Sequence, residues 1–354
     1  MSTNATSRAA TLNPFEPTIS VVIVTFNRRE LLGRCLDSIQ SQEVVPFEVI
    51  VVDNASTDDT LKFVEENYPK IKILYNSTNL GFCGGNNQGI RAASAPLVAL
   101  LNNDAEADPN WLGELMAGFD NRGDVAMVAS KILQFEDPSK IDKVGHLIYW
   151  DGQNRGRGMG ELDQGQYDQA EEVLWPDGCA AAYRRDAVLA VGAFDEDFFA
   201  YADDADLGFR LRLAGYKAVY APKAKVLHRR GSTLGRTNPF RIHLIERNRV
   251  LLAVKLFPWP LLLLNPFFYA LRLLRGVWSA FLGKGESARH AAERGKLGLA
   301  ATLLKADLEA VRMIPRMLAK RREIASFRRL STIDIFRLMW RFRISLKTLM
   351  EDEP

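Results

Sequence analysis

Cysteine and histidine are scarce in this chain of 354 residues: Cys35, Cys83 and Cys179 are its only thiols, beside four histidines. Three widely spaced cysteines build neither a disulfide framework nor a zinc knuckle, and so sparse a set suits a reducing compartment. The first sixteen residues lack a basic start followed by an apolar run, so no secretory signal is expected and the segment reads as a flexible leader. Long hydrophobic runs are missing as well. In the last third the longest charge-free stretch, 256–271, has 16 residues and is broken by Pro258, Pro260 and Pro266; a spanning helix needs about 20. The Gly-x-Gly-x-x-Gly turn of a dinucleotide fold is absent after the first apolar run, where Thr25-Phe26-Asn27-Arg28 stands instead. A nicotinamide dehydrogenase is thereby disfavoured.

What is present is an ordinary globular composition, 47% hydrophobic and 25% charged, with an uneven distribution of charge. Residues 241–354 carry 22 Lys/Arg against 10 Asp/Glu, whereas residues 1–240 carry 24 against 33. An acidic body with a basic tail points to chemistry in the first part and attraction to an anionic surface in the second. The division expected is a leader over 1–16, a catalytic domain over 17–240 and a helical tail over 241–354. In the tail, Lys320-Arg321-Arg322, Arg328-Arg329 and the 336–349 stretch mix basic and large apolar side chains, the pattern of a helix lying on a membrane surface; a helical subdomain or oligomer face is the plainer alternative. Few aromatics interleave with the basic run, so nucleic acid is not an expected partner.

Secondary structure follows from periodicity. Ile19 to Thr25 is a β-branched apolar run suited to a strand buried on both faces, and Leu31, Leu32, Cys35, Leu36 and Ile39 then recur at helical spacing. The alternation continues with a strand over 47–53, a helix over 57–67, a strand over 71–75, a helix over 86–93 and a strand over 97–102. A helix over 203–214 and a short strand over 218–221 complete the domain. Such alternation predicts an α/β fold, a doubly wound, mostly parallel sheet with helices on both faces, whose ligands belong at the carboxyl ends of the strands. Residues 135–172, rich in glycine and charge, read as irregular or mobile covering loops.

Polar residues crowd those strand ends. Asp53 can accept a hydrogen bond from a nucleobase or ribose, or belong to a helix cap with Ser56 and Thr57. The stretch from Asn79 to Gly89 holds four glycines and three asparagines before a helix, so its amides can face phosphate or sugar oxygens. Asp104 follows Asn102 and Asn103 where a carboxylate can reach a divalent ion and the asparagines a sugar; an ordinary turn is the alternative. Asp203, Asp204 and Asp206 open a helix, where the dipole favours negative charge. Capping explains one of them, while a carboxylate facing a cleft is what general-base catalysis requires. His228 can ligate a metal or be structural.

Taken in order, Val24-Thr25-Phe26-Asn27-Arg28, Val51-Val52-Asp53-Asn54-Ala55-Ser56, Asn79-Leu80-Gly81-Phe82-Cys83-Gly84-Gly85-Asn86-Asn87, Leu101-Asn102-Asn103-Asp104, the Gly192 to Arg210 run and Val226-Leu227-His228 closely resemble the family-two glycosyltransferases of the GT-A fold. Within that family the likeness is to the bacterial rhamnosyltransferase-like branch that builds cell-surface polysaccharide, over about residues 18–230. The resemblance implies that Thr25, Asn27, Asp53 and Asn54 hold the nucleoside of a nucleotide-sugar donor and that Gly81, Gly84, Gly85 and Asn86 border it, with Asn102 and Asn103 nearby. It implies Asp104 and His228 as ligands of Mn²⁺ or Mg²⁺, Asp204 as the catalytic carboxylate with Asp203 beside it, and Trp175, Asp177 and Gly178 on the acceptor side. Asn102 replaces the first acid of the family's Asp-x-Asp, and Asp203 replaces the glutamate of its Glu-Asp pair. The activity implied is inverting transfer of a hexose, foremost L-rhamnose from dTDP-rhamnose and otherwise a UDP-hexose, to a lipid-linked or polysaccharide acceptor, with a non-catalytic nucleotide-sugar-binding protein as the other alternative; the basic, apolar tail points to the cytoplasmic face of the inner membrane.

Overall fold

The computed structural model describes residues 16–350 except 45, 121, 232–237 and 282–295. The expected leader therefore lies, apart from Glu16, outside the described residues. The first half runs β1 (Ile19–Thr25), α1 (Arg29–Gln40), β2 (Phe47–Asp53), α2 (Thr60–Asn67), β3 (Lys72–Tyr75), α3 (Gly81–Ala92) and β4 (Leu97–Leu101). There follow β5 (Ala105–Ala107), α4 (Trp111–Ala117), β6 (Val125–Gln134), β7 (Ile141–Lys143), β8 (His146–Ile148), β9 (Asn154–Gly156), β10 (Glu171–Val173), β11 (Ala180–Arg184), α5 (Arg185–Ala190), α6 (Asp203–Leu213) and β12 (Lys217–His228). The helices α7 (Pro239–Leu256), α8 (Trp259–Phe281), α9 (Lys296–Ala325), α10 (Thr332–Arg341) and α11 (Leu346–Met350) close the chain.

The main sheet has the order β10-β12-β6-β11-β4-β1-β2-β3, with β5 on β12 and β7 on β6. β1 pairs in parallel with β2 and with β4, and β12 in parallel with β6, whereas β11 runs antiparallel between β4 and β6. The sheet is thus doubly wound and mostly parallel. Because successive side chains of a strand face opposite ways, β1 serves two cores: Val22 packs with Ile50, Val52 and Leu100 on one face, and Val21 and Ile23 with Leu32, Leu36 and Val51 on the other. The strand order reverses between β1 and β4, the point at which such a sheet opens a crevice at its strands' carboxyl ends.

Three expectations change. β12 is far longer than 218–221: Pro222 looked like a strand end because it cannot donate to a ladder, yet the strand passes it with a register shift between Ala221 and Lys225. The helix expected from Asn86 begins at Gly81, so the glycine-rich run is helical. The segment over 135–172 is built rather than irregular. β7 extends the main sheet, β8 and β9 form a hairpin, and the buried Lys131 holds Asp163 and Asp168 at 2.8 and 2.7 Å.

Helix α7 begins at Pro239, across the expected boundary at 240, and buries Glu246, Arg247, Asn248, Arg249 and Lys255. Lys255 lies 2.7 Å from Asp195 and 2.6 Å from Asp206, which ties the helix to the segment around α6. Among the described residues, no helix is long and apolar enough to cross a membrane.

Candidate active site

At the end of β1, Asn27 and Arg28 both adopt left-handed backbone, φ 59° and 72°. Asn27 earns its place by joining two loops: its amide donates to Ser56 Oγ (2.7 Å) and its Oδ1 accepts from the Thr57 amide (2.8 Å). Thr25 Oγ1 donates to Asn27 O and accepts from Asn103 Nδ2, both at 3.0 Å, linking the ends of β1 and β4. Asp53 Oδ2 takes the Ser56 amide at 3.1 Å, while its buried Oδ1 has no hydrogen-bond partner among the described residues. An unmet buried acceptor costs about 1–3 kcal/mol, and a ligand's N–H or O–H is a group this oxygen can accept from.

Asn54, expected to touch the nucleoside, is instead consumed by the fold. Its Nδ2 donates to Gly81 O (2.9 Å) and its Oδ1 accepts from Asn76 (2.8 Å). The glycines are likewise explained by close packing. A Cβ on Gly85 would stand 2.6 Å from Val24 Cγ1, one on Gly84 2.6 Å from Leu80 Cβ, and one on Gly81, whose φ is 71°, 2.5 Å from Phe199 O. Helix α3 lies against β1 because Gly85 and Gly89, where a Cβ would stand 2.2 Å from Val22 Cγ1, carry no side chain. Asn86 is buried and bonds Phe82 O at 2.9 Å within the helix. A cleft of about 710 Å³ opens beside Phe26, Asn27, Arg28 and Asp58.

The two acidic centres meet on one turn. Asn102 donates its amide to Cys179 O at 2.8 Å, which sets the Asn103–Asp104 turn against the start of β11. One residue earlier, the Gly178 amide lies 3.4 Å from Asp204 Oδ2. On the first side His228 Nε2 lies 3.5 Å from Asp104 Oδ1, and its Nδ1 is 2.7 Å from the buried Asp142. Burial opposes the His228 cation, but Cys179, Asp104 and Asp142 outweigh it and raise its pKa well above the ordinary value. A carboxylate and an imidazole at the cleft, the imidazole steered from behind by a second carboxylate, form a donor set suited to a divalent metal such as Mn²⁺.

On the other side Asp204 is the accessible member of its helix turn. Asp206 is buried against Arg210 (2.5 Å) and Lys255. Asp203 is buried too, and burial first, then the Asp204, Asp177 and Asp206 charges, push its pKa well up and favour the neutral acid. Asp204 Oδ2 lies 3.3 Å from His146 Nε2, which also sits 2.9 Å from Asp177 Oδ2. Burial opposes charging of His146, yet Asp204 and Asp177 raise its pKa to about 9, so it is an imidazolium at neutral pH. Asp177 is held well below the carboxylate range against its burial by Lys143, at 2.5 Å, and by His146.

The ligand atoms of His146, Asp177 and Asp204 fall within 4.8 Å of one another, close enough for a metal. Lys143 and His146 already neutralise that trio; the His228 pKa is raised as well, so a cation bound by Asp104 and His228 must first displace the imidazole's proton. Asp177, expected on the acceptor side, is engaged by Lys143, His146 and the Cys179 amide. Trp175, expected on the acceptor side, is fully buried under His146, rings 6.3 Å apart and 27° from parallel, where no acceptor reaches it. Gly178 packs beside the carboxylate: a Cβ there would lie 3.0 Å from Phe82 and 3.7 Å from Asp204.

Sequence reasoning missed Asp142, Lys143 and His146. Their signal was the clustering of three titratable residues within five positions of an otherwise glycine-rich segment. It also missed the segment before Asp204, where Phe199, Tyr201 and Ala202 all take positive φ (63°, 68° and 57°), strain of about 1–3 kcal/mol each.

A doubly wound sheet with an unmet carboxylate at β2, an aspartate–histidine pair at β4 and β12, and a carboxylate across the same turn has the architecture of a GT-A glycosyltransferase. The sequence model of Glycosyl transferase family 2 matches residues 20–192. The chain is 30% identical over 240 residues to N-acetylglucosaminyl-diphospho-decaprenol L-rhamnosyltransferase of Mycobacterium tuberculosis, covering 62% of this chain and 78% of that protein. Two solved structures share the fold. Staphylococcus aureus TarS 1-349 in complex with UDP matches with a TM-score of 0.53 at 17% identity, over 91% of this chain and 90% of that one. GalNAc-T7 with UDP, GalNAc and Mn²⁺ matches with a TM-score of 0.54 at 16% identity, over 69% and 48%. The chain belongs to glycosyltransferase family 2 and is similar to its rhamnosyltransferase-like members.

Proposed function

We propose that the chain is an inverting, metal-dependent hexosyltransferase that moves L-rhamnose from dTDP-rhamnose to a hydroxyl of a lipid-linked saccharide. The observation that carries the mechanism is the approach of Asp104–His228 and Asp204 to the two sides of the Gly178–Cys179 turn. Asp204 takes the proton of the acceptor hydroxyl as that oxygen bonds to the anomeric carbon, and the carbon–phosphate oxygen bond breaks with its electron pair leaving on the nucleoside diphosphate. One displacement inverts configuration. The Gly178 amide and His146 hold the Asp204 carboxylate in place, with Asp203 buried beside it and its pKa pushed up by burial and the neighbouring carboxylates. Asp53 receives a donor group of the nucleoside, with Thr25, Asn27, Asn102 and Asn103 shaping that end. Asp104 and His228 would hold Mn²⁺ or Mg²⁺, which supplies charge neutralisation of the departing diphosphate when bound.

The named activity of the M. tuberculosis relative supports both the rhamnosyl donor and the lipid-diphosphate acceptor. A UDP-hexose is the competing donor, favoured by the UDP in the two fold neighbours. Calorimetry with dTDP-rhamnose, UDP-glucose, UDP-GlcNAc and GDP-mannose in the presence of Mn²⁺ decides: tightest binding of dTDP-rhamnose is expected, and tighter binding of any other donor overturns that assignment.

The region from 241 onward is read as the unit that meets the cytoplasmic face of the inner membrane. Helix α8 exposes Trp259, Leu263, Leu264, Phe267 and Leu274 in the part of the chain that holds the excess of basic residues, which suits an anionic bilayer. Full-length protein is expected to co-sediment with phosphatidylglycerol vesicles, and the double variant Leu263→Asp, Phe267→Asp to remain in solution. Equal sedimentation of the two removes α8 from that role.

A further inference from the structure

We propose that Arg247 and Asn248, on helix α7, are positioning residues of the active site: they hold the left-handed segment from Phe198 to Ala202 in the shape that delivers Asp204 to the cleft. The proposal rests on the reading of Asp204 as the base. Left-handed backbone is disfavoured wherever a Cβ is present, and three such residues directly before α6 persist only if neighbours over-determine them. Asn248 supplies that constraint. It is fully buried, and its Nδ2 lies 2.9, 2.8 and 2.7 Å from the carbonyl oxygens of Phe198, Ala200 and Tyr201. Arg247 adds bonds from Nη2 to Asp197 O (2.9 Å) and Phe198 O (3.2 Å). Its Nε donates to Asn248 Oδ1 at 2.9 Å, fixing which end of that amide faces the segment, and its Nη1 pairs with Glu309 of α9 at 2.7 Å.

The same helix grips the segment through its first turn, where Phe240 packs edge-on against Phe199 at 6.0 Å and Arg241 lies over Tyr201 at 5.6 Å. From the opposite side the Cys83 amide donates to Phe199 O at 3.1 Å, and the Asp206 amide donates to Ala202 O at 2.9 Å. The C-terminal helices therefore complete the catalytic geometry as well as extending the molecule. A carboxylate at a helix start takes its direction from the backbone entering that helix, and here that backbone is set by a side chain some fifty positions later.

Full-length Asn248→Ala tests this beside Asn87→Ala, which removes another buried asparagine bonded to backbone just upstream, at Phe194. Hydrogen–deuterium exchange on peptides covering Asp206 and Cys83 is expected to quicken at least ten-fold in Asn248→Ala and to stay within about three-fold in Asn87→Ala. With the nucleotide sugar that binds wild type most tightly, kcat for transfer or donor hydrolysis is expected to fall about 100-fold in Asn248→Ala at unchanged donor KM, while Asn87→Ala keeps kcat within about three-fold. Asn248→Ser, which retains one donor, recovers part of both losses. Unchanged exchange in Asn248→Ala overturns the proposal, as does a kcat loss that Asn87→Ala shares equally. Exchange needs no substrate, so it judges the brace separately from the role of Asp204, which stands or falls on Asp204→Asn.

Discussion

Replacing His146 by glutamine removes a buried cation shared between Asp177 and Asp204, and the size of the effect follows from its proton affinity. The histidine pKa rises from an ordinary 6.5 to about 9, and each unit is worth 1.36 kcal/mol, so charging in the folded state contributes about 3 kcal/mol. The sign is that of a raised group: the contribution is complete below pH about 6.5, where the unfolded chain is protonated as well, and is lost as pH climbs through 9. For a chain of this length, with an unfolding entropy of about 2 cal/mol/K per residue, that corresponds to roughly 4 °C in melting temperature. Differential scanning fluorimetry of wild type and His146→Gln from pH 6 to pH 10 is the assay. Wild type is expected to melt about 4 °C above the variant at pH 6, with the gap closing by pH 10. Parallel curves across that range would refute the claim that the imidazolium is bound by these two carboxylates.

Other outcomes follow from single contacts. Asp195 is held well below the carboxylate range, against its burial, by Lys255 and Lys320, so its contribution is present above pH about 4 and is lost as pH falls through its folded pKa. Asp195→Asn should lower stability at pH 7 by about 2 kcal/mol, since it takes one of two carboxylate partners from buried Lys255 and leaves it Asp206, and denaturant titrations of variant and wild type should converge as the pH drops below 4. Gly85→Ala drives a methyl into Val24, 2.6 Å from its Cγ1, and should cost about 1–3 kcal/mol in denaturation; adding Val24→Ala should recover most of it. Asp142→Asn removes the carboxylate that steers His228 and should weaken Mn²⁺ binding by about 10–100-fold in calorimetry.

The framework was legible because strands buried on both faces announce themselves: Ile19 to Thr25 and Phe47 to Asp53 are apolar at nearly every position, and each ends in polar residues at the crevice. Asp104 and His228 were singled out through the resemblance, and the fold brings them to within 3.5 Å of each other. Asn79 to Gly89 misled because glycine is a poor helix former, while its use here is to let a helix touch β1, a tertiary cause invisible to propensity. His146 was hidden for a different reason. It stands in a segment without apolar periodicity and meets Asp204 only through a sheet that closes 58 positions later in the chain. Arg247 and Asn248 were read as parts of a basic tail, because nothing local distinguishes a buried arginine from a solvated one.

The assignment of Asp204 as the base that faces the acceptor is tested most directly by Asp204→Asn. Initial-rate transfer and donor calorimetry on the same preparation are the paired readings. The account predicts a fall in kcat of at least 1,000-fold with donor affinity within about three-fold of wild type. Turnover within ten-fold of wild type would contradict it.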